Sequence, residues 1–366
     1  MKKIFGILVL FTSFVFGADV NELQKACESG DSKACVKFSY TSKNYELNAK
    51  VFSKLCDDGK MIGCSNLGEL YELGAGVAKD TQKAISLYQK ACDNDELWGC
   101  LGLANSLIEG KNIAKDTKKA RILSQKACDS NDLEISAVGC SFVGATIMDE
   151  EEPNKMKLME YALMATQKAQ KSCENNELGG CFIYASMLKS FEEDYKKAIE
   201  IYQKACDGGY AKACNDLGLM YGNGEGVEKN TKKEAELYQK ACDGGEMWGC
   251  SNMADTYYNG EGIRQDYKKA VEFWQKACDG DLGNACNRLG NRYGDGKGVE
   301  QNYKKANELF KKACELEDKV SCFNLAQSYE EGVGIRQDIK TAKEYYGKSC
   351  DLGDEDGCKA YKRLNK

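Results

Sequence analysis

Small, apolar and charged residues recur down the chain in one pattern, with a period of mostly 36 residues. Each copy contains a stretch such as Lys240 to Cys250, K-A-C-D-G-G-E-M-W-G-C, which continues a helix-like segment of the form K-K-A-x-x-x-Y-Q-K-A-C. The pattern lacks the alternation of apolar and polar residues that half-buried strands show. A period of this length without strand alternation predicts an all-α solenoid built from two-helix units.

The ends of these helices can be located from residues that recur around the cysteines. A lysine stands two residues before the first cysteine of each pair, and an acid stands one residue after it, in all ten copies. A lysine in the last turn is favourable at the negative end of a helix, and the Gly, Asn or Asp that usually follows can adopt the left-handed conformation that ends one. We therefore predict that the first cysteine closes one helix and that the second lies in the first turns of the next.

A column of small residues predicts where the helices approach one another, because large side chains do not fit at close helix contacts. It lies four positions after the second cysteine and comprises Ser39, Gly68, Ala104, Gly144, Ala185, Gly218, Ala254, Gly290 and Ala326. A G-x-G segment then follows, as in Gly260 to Gly262. No strand precedes it and no Lys-Ser pair follows, so we interpret it as an inter-helix turn rather than a phosphate loop.

Composition and the N-terminus indicate the environment of the chain. Its 366 residues carry a net charge of −6 and contain no basic stripe, which argues against nucleic acid as a partner. Residues 1–17 combine a short basic start with an apolar run of 13, Ile4 to Phe16, too short for a membrane span and typical of a cleaved signal peptide. We expect an exported protein, periplasmic or secreted and without a membrane span, in a compartment where disulfides persist.

The motifs L-G-x-x-Y, G-x-G-V and K-A-x-x-x-Y-x-K-A-C together resemble the Sel-one-like repeat, a relative of the tetratricopeptide repeat. The cysteine pair in every unit is similar to the Helicobacter cysteine-rich protein family. The resemblance covers about residues 19–366 and implies an α/α superhelix of about nine repeats, 31–353, between capping helices at 18–30 and 354–366. Repeats four and five depart from the pattern, with Asp149 to Pro153 and Ser190 to Asp194 in place of the G-x-G loop.

The 20 cysteines form ten such pairs, nine of them C-x7-C and one C-x11-C. In the implied architecture each pair staples the end of one helix to the start of the next across a short turn. Metal binding by cysteine needs C-x2-C clusters or histidine partners, and the chain has neither, so we expect no metal and no cofactor. The predicted bridges are Cys27–Cys35, Cys56–Cys64, Cys92–Cys100, Cys128–Cys140, Cys173–Cys181, Cys206–Cys214, Cys242–Cys250, Cys278–Cys286, Cys314–Cys322 and Cys350–Cys358.

The resemblance implies one enzymatic alternative, because members of the cysteine-rich family are described as penicillin-binding proteins and weak β-lactamases. The chain has no histidine, which excludes a Ser-His-Asp triad, a Cys-His pair and the histidine ligands of a zinc lactamase. A serine lactamase needs S-x-x-K together with S-D-N and K-T-G, and only the first occurs, at Ser186 to Lys189 on a predicted helix. Ser186 and Lys189 are the catalytic candidates that this alternative leaves, although about 2.5 such matches are expected by chance at this composition, so one match carries little information.

The other functional class is a binding scaffold, because superhelices of this kind present a concave face lined by the first helix of each unit. Two positions after the second cysteine, the side chain should point away from the core; in the regular repeats it is Asn66, Asp216, Asn252, Arg288 and Asn324. In the irregular repeats Phe142 and Ile183 hold this position, with Phe182 beside one of them. One interpretation is a hydrogen-bonding ladder with an apolar centre that binds a protein, host proteins included, a peptide or a cell-wall fragment as a monomer. The alternative is that the asparagines are solvated and the apolar residues belong to a repacked core.

Overall fold

The computed structural model describes residues 20–31, 34, 35, 38, 42, 44–110, 112–150 and 152–365. Within this part of the chain the secondary structure consists of helices and connecting turns, without a strand. The chain divides into two compact units, which meet in sequence between residues 229 and 230. The prediction of an all-α repeat protein is confirmed, whereas the predicted signal peptide, 1–17, lies outside the described residues.

The first unit contains 11 described helices and one π-helical turn, Leu188–Glu192. The helices are α1 (Val20–Ser29), α2 (Tyr45–Asp57), α3 (Met61–Leu73), α4 (Thr81–Asp93), α5 (Leu97–Glu109), α6 (Thr117–Cys128), α7 (Leu133–Met148), α8 (Lys155–Glu174), α9 (Leu178–Met187), α10 (Tyr195–Asp207) and α11 (Ala211–Asn223). Helix α1 lies in the range predicted for the N-terminal cap.

The second unit contains eight described helices. They are α12 (Thr231–Asp243), α13 (Met247–Asn259), α14 (Tyr267–Asp279), α15 (Gly283–Asp295), α16 (Tyr303–Glu315), α17 (Lys319–Glu331), α18 (Ile339–Asp351) and α19 (Glu355–Arg363). Helix α19 lies in the range predicted for the C-terminal cap. In the described part of the chain, no helix is both long enough and apolar enough to cross a bilayer.

Helix ends follow a repeated local chemistry. Each second helix begins after an Asp or Asn whose side chain accepts a hydrogen bond from the first turn, as Asp266 does from Lys269 N at 3.1 Å. The first helix of a regular unit ends at a left-handed glycine, such as Gly260 with φ 76°. A Cβ on the next glycine, Gly262, would collide with the carbonyl carbon of Thr231. The G-x-G segment is thus an inter-helix turn that ends one helix and packs against the start of an earlier one.

The ten cysteine pairs are joined as predicted, first to second within each unit. The bond Cys278–Cys286, for example, connects the end of α14 to the start of α15 across a Cα–Cα distance of 4.6 Å. No cysteine in the described residues is free. In the described chain, the short turns that lead from a second helix to the next first helix are therefore each closed by a covalent link, whereas the G-x-G turns are not.

In several repeats the lysine near the end of the second helix reaches the repeat before it. Lys312 Nζ donates a hydrogen bond to the backbone carbonyl of Cys278 at 2.7 Å and forms an ion pair with Asp281 Oδ1 at 2.8 Å. The same lysine-to-carbonyl bond joins Lys90 to Cys56, Lys204 to Cys173 and Lys276 to Cys242. The lysine that the sequence assigned to the end of its own helix therefore also satisfies the last carbonyl groups of the preceding second helix.

Substitution of one of these lysines should weaken the contact between adjacent repeats. We expect Lys312→Met to lower the free energy of unfolding by about 1 kcal/mol, because it removes a charged hydrogen bond at a partly exposed site. The neighbouring Lys311 is a matched control, since its side chain is 58% exposed and pairs only loosely with Glu315, at 3.9 Å on the same helix. Lys311→Met should change stability by less than about 0.5 kcal/mol. Urea unfolding measures the stability of both variants. Equal losses of stability would contradict the role of Lys312 in the contact between repeats.

The column of small residues lies where the first helix of a unit meets the second, as predicted. A Cβ on Gly290 would lie 2.7 Å from Cε1 of Phe310, and Ala254 and Ala326 in the same column are fully buried. In α19, which no helix follows in the described chain, the same position is the exposed Lys362. In this column, small side chains thus lie where a second helix covers the first.

Added bulk in this column should destabilise the protein. We expect Gly290→Leu to cost about 1–3 kcal/mol, because the Phe310 ring has to move to admit the new side chain. Gly144→Ala is the control from the same column: the nearest atom to its added Cβ would be Leu158 Cδ1, at an ordinary contact distance of 3.5 Å. Chemical denaturation should show Gly144→Ala to be neutral or stabilising, by up to about 1 kcal/mol. Similar losses in the two variants would refute this packing scheme.

Repeats four and five have different helices from the regular units. Helix α8 has 20 residues, whereas the second helix of a regular unit, such as α14, has 13. Helix α9 has 10 residues and continues into the π-helical turn, which ends at Glu193 with φ 54°. The segments that replace the G-x-G loop thus lengthen one second helix and shorten one first helix.

Candidate binding surface

The polar column of the second unit forms a hydrogen-bonded ladder. Asn252, Arg288 and Asn324 lie at the same position of the first helices α13, α15 and α17; Arg288 is exposed and the two asparagines are partly exposed. Arg288 Nη1 donates to Asp255 Oδ1 at 2.9 Å, and Asn324 Nδ2 donates to Asn287 Oδ1 at 3.1 Å. Each of these bonds joins one repeat to the previous repeat. We call this surface, with these five residues, the first-helix face of the second unit.

Asp255 is the anchor of this face, and the sequence analysis missed it. Its Oδ1 accepts hydrogen bonds from Arg288 and from the indole N–H of Trp274, at 3.1 Å. Burial raises the pKa of the Asp255 carboxyl, while Arg288 and Trp274 act in the opposite direction. The available signal was its spacing: Asp255 follows Asn252 by three residues, which places both on one side of α13.

A second arginine extends the face beside the aromatic ring of Tyr258. Arg292 lies one helical turn after Arg288, and its guanidinium stacks 4.6 Å from the ring centre of Tyr258. Its Nη1 donates to the Tyr258 hydroxyl at 2.6 Å and pairs with Asp295 at 3.0 Å. Its Nε is buried and has no hydrogen-bond partner in the described structure. The face therefore combines hydrogen-bonding amides with two positioned guanidinium groups.

The ladder leads to an open cleft between α17 and α19. The cleft has a volume of about 760 Å³, and its walls include Phe323, Gln327, the acidic Glu330 and Asp356, and the basic Lys359 and Arg363. Phe323 directly precedes the ladder residue Asn324 in α17. The cleft thus offers an aromatic side chain, an amide and two cations, each paired with an acid, next to the end of the ladder.

One wall of the cleft is fixed by a bidentate ion pair. Arg363 donates to both carboxylate oxygens of Glu330, at 2.6 and 2.7 Å, and the Tyr346 hydroxyl donates to Glu330 Oε2 at 2.8 Å. The Arg363 hydrogen bonds hold the pKa of Glu330 below its usual value. Burial and this carboxylate raise the pKa of Tyr346 well above its usual value. The wall is therefore charged and rigid, with the arginine still exposed to solvent.

The predicted column of the first unit is largely buried, which corrects the expectation of an exposed apolar centre. Phe142, Phe182 and Ile183 are 7%, 8% and 4% exposed. Asn66 is 8% exposed, and its Nδ2 donates to the backbone carbonyl of Ile62 at 2.7 Å, one turn earlier in its own helix. Asp216 is partly buried. In the first unit the repacked core, rather than an apolar groove, accounts for these side chains.

Aromatic packing is the physical reason for this burial. The Phe182 ring stacks on Tyr210 with 5.1 Å between ring centres and lies 5.8 Å from Tyr202, with both tyrosines fully buried. Phe182 therefore occupies the interface between α9, α10 and the turn before α11, where water is excluded.

Glu69 is an acidic group that the sequence analysis also missed. It stands five positions after its second cysteine, which is the position of Asp255 in the second unit. Burial raises the pKa of Glu69 to about 8; the charge of Lys212 opposes this rise, and the charge of Glu72 adds to it. Glu69 is therefore largely protonated at neutral pH.

The catalytic candidates Ser186 and Lys189 are engaged with different partners. Ser186 Oγ donates to the backbone carbonyl of Phe182 at 2.9 Å and lies 2.9 Å from the Tyr202 hydroxyl. Lys189 Nζ forms an ion pair with Glu225 at 2.7 Å. Within the described chain these two residues are not joined as a nucleophile and its base, and no group of three or more His, Cys, Asp or Glu is placed to hold a metal ion.

Comparisons with known proteins agree with this repeat geometry. The Sel1 repeat model matches residues 62–96, 99–132, 177–210, 211–246, 249–282, 283–318 and 319–354. The structure of a Sel1 repeat protein from Oxalobacter formigenes is 19% identical, covers 86% of this chain and 89% of its own, and superposes with a TM-score of 0.53. Helicobacter pylori cysteine rich protein B is 34% identical over 36% of this chain and 94% of its own, with a TM-score of 0.31. The search of curated proteins found no match.

Proposed function

The chain belongs to the Sel1 repeat family, as its sequence pattern predicted, and from this premise we propose that it is a binding scaffold. Its second unit holds an extended segment of a partner protein on the first-helix face. The observation that carries this proposal is the ladder of Arg288–Asp255 and Asn324–Asn287 contacts, which leads to the cleft beside Phe323.

The chemistry of the ladder suits a peptide backbone. An asparagine side chain both donates and accepts, so Asn252 and Asn324 can pair with the N–H and C=O groups of an extended chain whatever its sequence. Arg288 keeps donors exposed beyond those that bind Asp255 and Asn284. The cleft then supplies space for one side chain, with Phe323 as an apolar contact, and so adds selectivity to a backbone-directed site.

The cellular location that fits this function is an exported one. Ten disulfides within one chain are stable in an oxidising compartment and are rare in a reducing one. The predicted signal peptide at 1–17 supports the same assignment. A partner would then be a protein of the cell envelope, the medium or a host surface.

Selection from a random peptide library tests the proposed function. A phage-displayed library is panned against the full-length oxidised protein, and the selected peptides are titrated by fluorescence anisotropy. For the double variant Arg288→Ala with Asn324→Ala we expect at least about tenfold weaker binding, which corresponds to about 1.4 kcal/mol of lost hydrogen bonding.

The matched control is Arg264→Ala with Arg336→Ala. Both arginines are exposed in the turns after the G-x-G segments, so this pair removes positive charge away from the first-helix face. Peptides that bind the Arg288 and Asn324 variant as tightly as they bind the wild type would exclude the first-helix face as the site. Equal weakening by both double variants would indicate a general charge effect instead.

A further inference from the structure

The ten bridges follow the simplest pairing order that 20 cysteines allow. Within the described chain, each bridge joins one cysteine to the next cysteine in the sequence, and no bridge encloses or crosses another. Twenty cysteines can be paired completely in about 650 million ways, of which this is one. The selection of this order therefore needs a physical cause that acts within each pair.

Loop length is the first such cause. The two cysteines of a pair are 8 residues apart, or 12 for Cys128 and Cys140. Consecutive cysteines of different pairs are 21–33 residues apart and most often 28, as from Cys286 to Cys314. The probability that a flexible loop closes falls with about the 3/2 power of its length, so an 8-residue loop closes about sixfold more readily than a 28-residue one. Chain entropy by itself therefore favours the native partner of each cysteine.

The backbone turn between the two cysteines is the second cause. After Cys278, the N–H of Asp281 donates to the carbonyl of Cys278 at 3.0 Å, and the N–H of Leu282 donates to the carbonyl of Ala277 at 3.1 Å. The same two bonds occur in all nine of the 8-residue segments in the described chain. They are the bonds that end a helix, and they involve no residue of another repeat. The end of one helix thus brings the two cysteines together, to a Cα–Cα distance of 4.6 Å for Cys278 and Cys286.

Burial of the sulfur atoms determines when the bridges have to form. Of the 20 cysteines, all of which lie in the described part of the chain, 18 are at most 6% exposed. The exceptions are Cys350 and Cys358, which are partly exposed near the C-terminus. Thiol–disulfide exchange requires that an attacking thiolate reaches a sulfur atom. A packed chain therefore gives an isomerase little access to a wrong bridge, and the correct pairs have to be made before the repeats pack.

We propose that each bridge forms within its own segment by reaction with a disulfide oxidant, an oxidised dithiol protein, and that maturation of this chain requires no disulfide isomerase. One cysteine thiolate attacks a sulfur of the oxidant, forms a mixed disulfide and displaces the other oxidant sulfur as a thiolate. The second thiolate of the pair attacks the sulfur of the first cysteine and releases the second oxidant sulfur. Each bridge thus transfers two electrons to one oxidant disulfide, and the two thiol protons pass to solvent or to the oxidant thiolates. The proposal is independent of the binding function of the first-helix face.

Oxidation of the reduced, unfolded full-length protein tests this proposal. The oxidant is an excess of an oxidised bacterial dithiol oxidase without any small thiol, so that a wrong bridge is not rearranged by the buffer. Samples are quenched with acid and alkylated, and their bridges are mapped by mass spectrometry. We expect the ten native bridges as the main product, and a gain in their yield of less than about twofold when a disulfide isomerase is added. A larger gain, or bridges between different pairs as the main product, would overturn the proposal.

The variant Cys214→Ser tests whether the short segment, rather than the order of the cysteines along the chain, selects the partner. It leaves Cys206 without its native partner, and the next cysteine, Cys242, is 36 residues away. A loop of that length closes about tenfold less readily than the 8-residue loop from Cys242 to Cys250, so we expect a free thiol at Cys206 and nine native bridges. The control, Cys206→Ser with Cys214→Ser, should form the same nine bridges without a free thiol. A bridge between Cys206 and Cys242 that shifts the later pairs out of register would refute selection within each segment.

Discussion

Reduction of the disulfides is expected to unfold this chain under conditions in which the oxidised protein remains fully helical. Each of the ten bridges joins cysteines 8 or 12 residues apart. In the chain-entropy model a closed loop of this size lowers the free energy of the folded state, relative to the unfolded one, by about 2.5 kcal/mol. The summed contribution of the ten bridges exceeds the usual stability of native proteins, which is about 5–15 kcal/mol. Circular dichroism melts with and without a phosphine reductant measure the effect.

Removal of one bridge separates the local from the global part of this prediction. Cys278→Ser with Cys286→Ser should cost about 2.5 kcal/mol. Because solenoid units contact mainly their neighbours, hydrogen exchange should accelerate first in α14 and α15. The idea that the bridges supply the stability would be wrong if the reduced and alkylated chain melted at the same temperature as the oxidised one.

Stability should fall as the pH rises from about 4.5 to about 8, because of Glu69. Burial raises the pKa of this carboxyl from 4.5 to about 8 in the folded protein, so the folded state binds its proton more tightly than the unfolded state does. The stabilisation is fully present below about pH 4.5, declines through this window and is lost above about pH 8. A pKa that is one unit higher in the folded state is worth about 1.4 kcal/mol, so the rise from 4.5 to about 8 is worth on the order of 5 kcal/mol.

Glu69→Gln isolates this contribution, because glutamine has the same shape and no charge. In urea unfolding we expect the variant and the wild type to be similar at pH 5, and the variant to be the more stable by several kcal/mol at pH 8.5. Glu272→Gln, at an exposed position of α14, is the control and should leave the pH dependence as it is. An unchanged pH profile in Glu69→Gln would show that this carboxyl is not the responsible group.

Several features of the site could be read from residue spacing, and others could not. The register of Asn252, Arg288 and Asn324 on successive first helices is a direct consequence of the 36-residue period. Asp255, which fixes Arg288, could have been found from its place one turn after Asn252. The cleft between α17 and α19 depends on the spacing of two helices from different repeats, and no local pattern encodes that distance.

The sequence by itself determined the helix pairs, their ends, the small-residue column and the pairing of the cysteines. Each of these depends on groups inside one repeat or in direct chain neighbours, so a pattern of residues is sufficient to specify them. Only the tertiary structure decided which side chains of the polar column meet solvent: Arg288 is exposed, whereas Asn66, Phe142 and Ile183 are buried. It also decided that Lys312 caps a helix of the preceding repeat. The physical reason is that burial and long side-chain contacts depend on which atoms of other helices surround a side chain. Those atoms are placed by the packing between repeats and not by the residue itself.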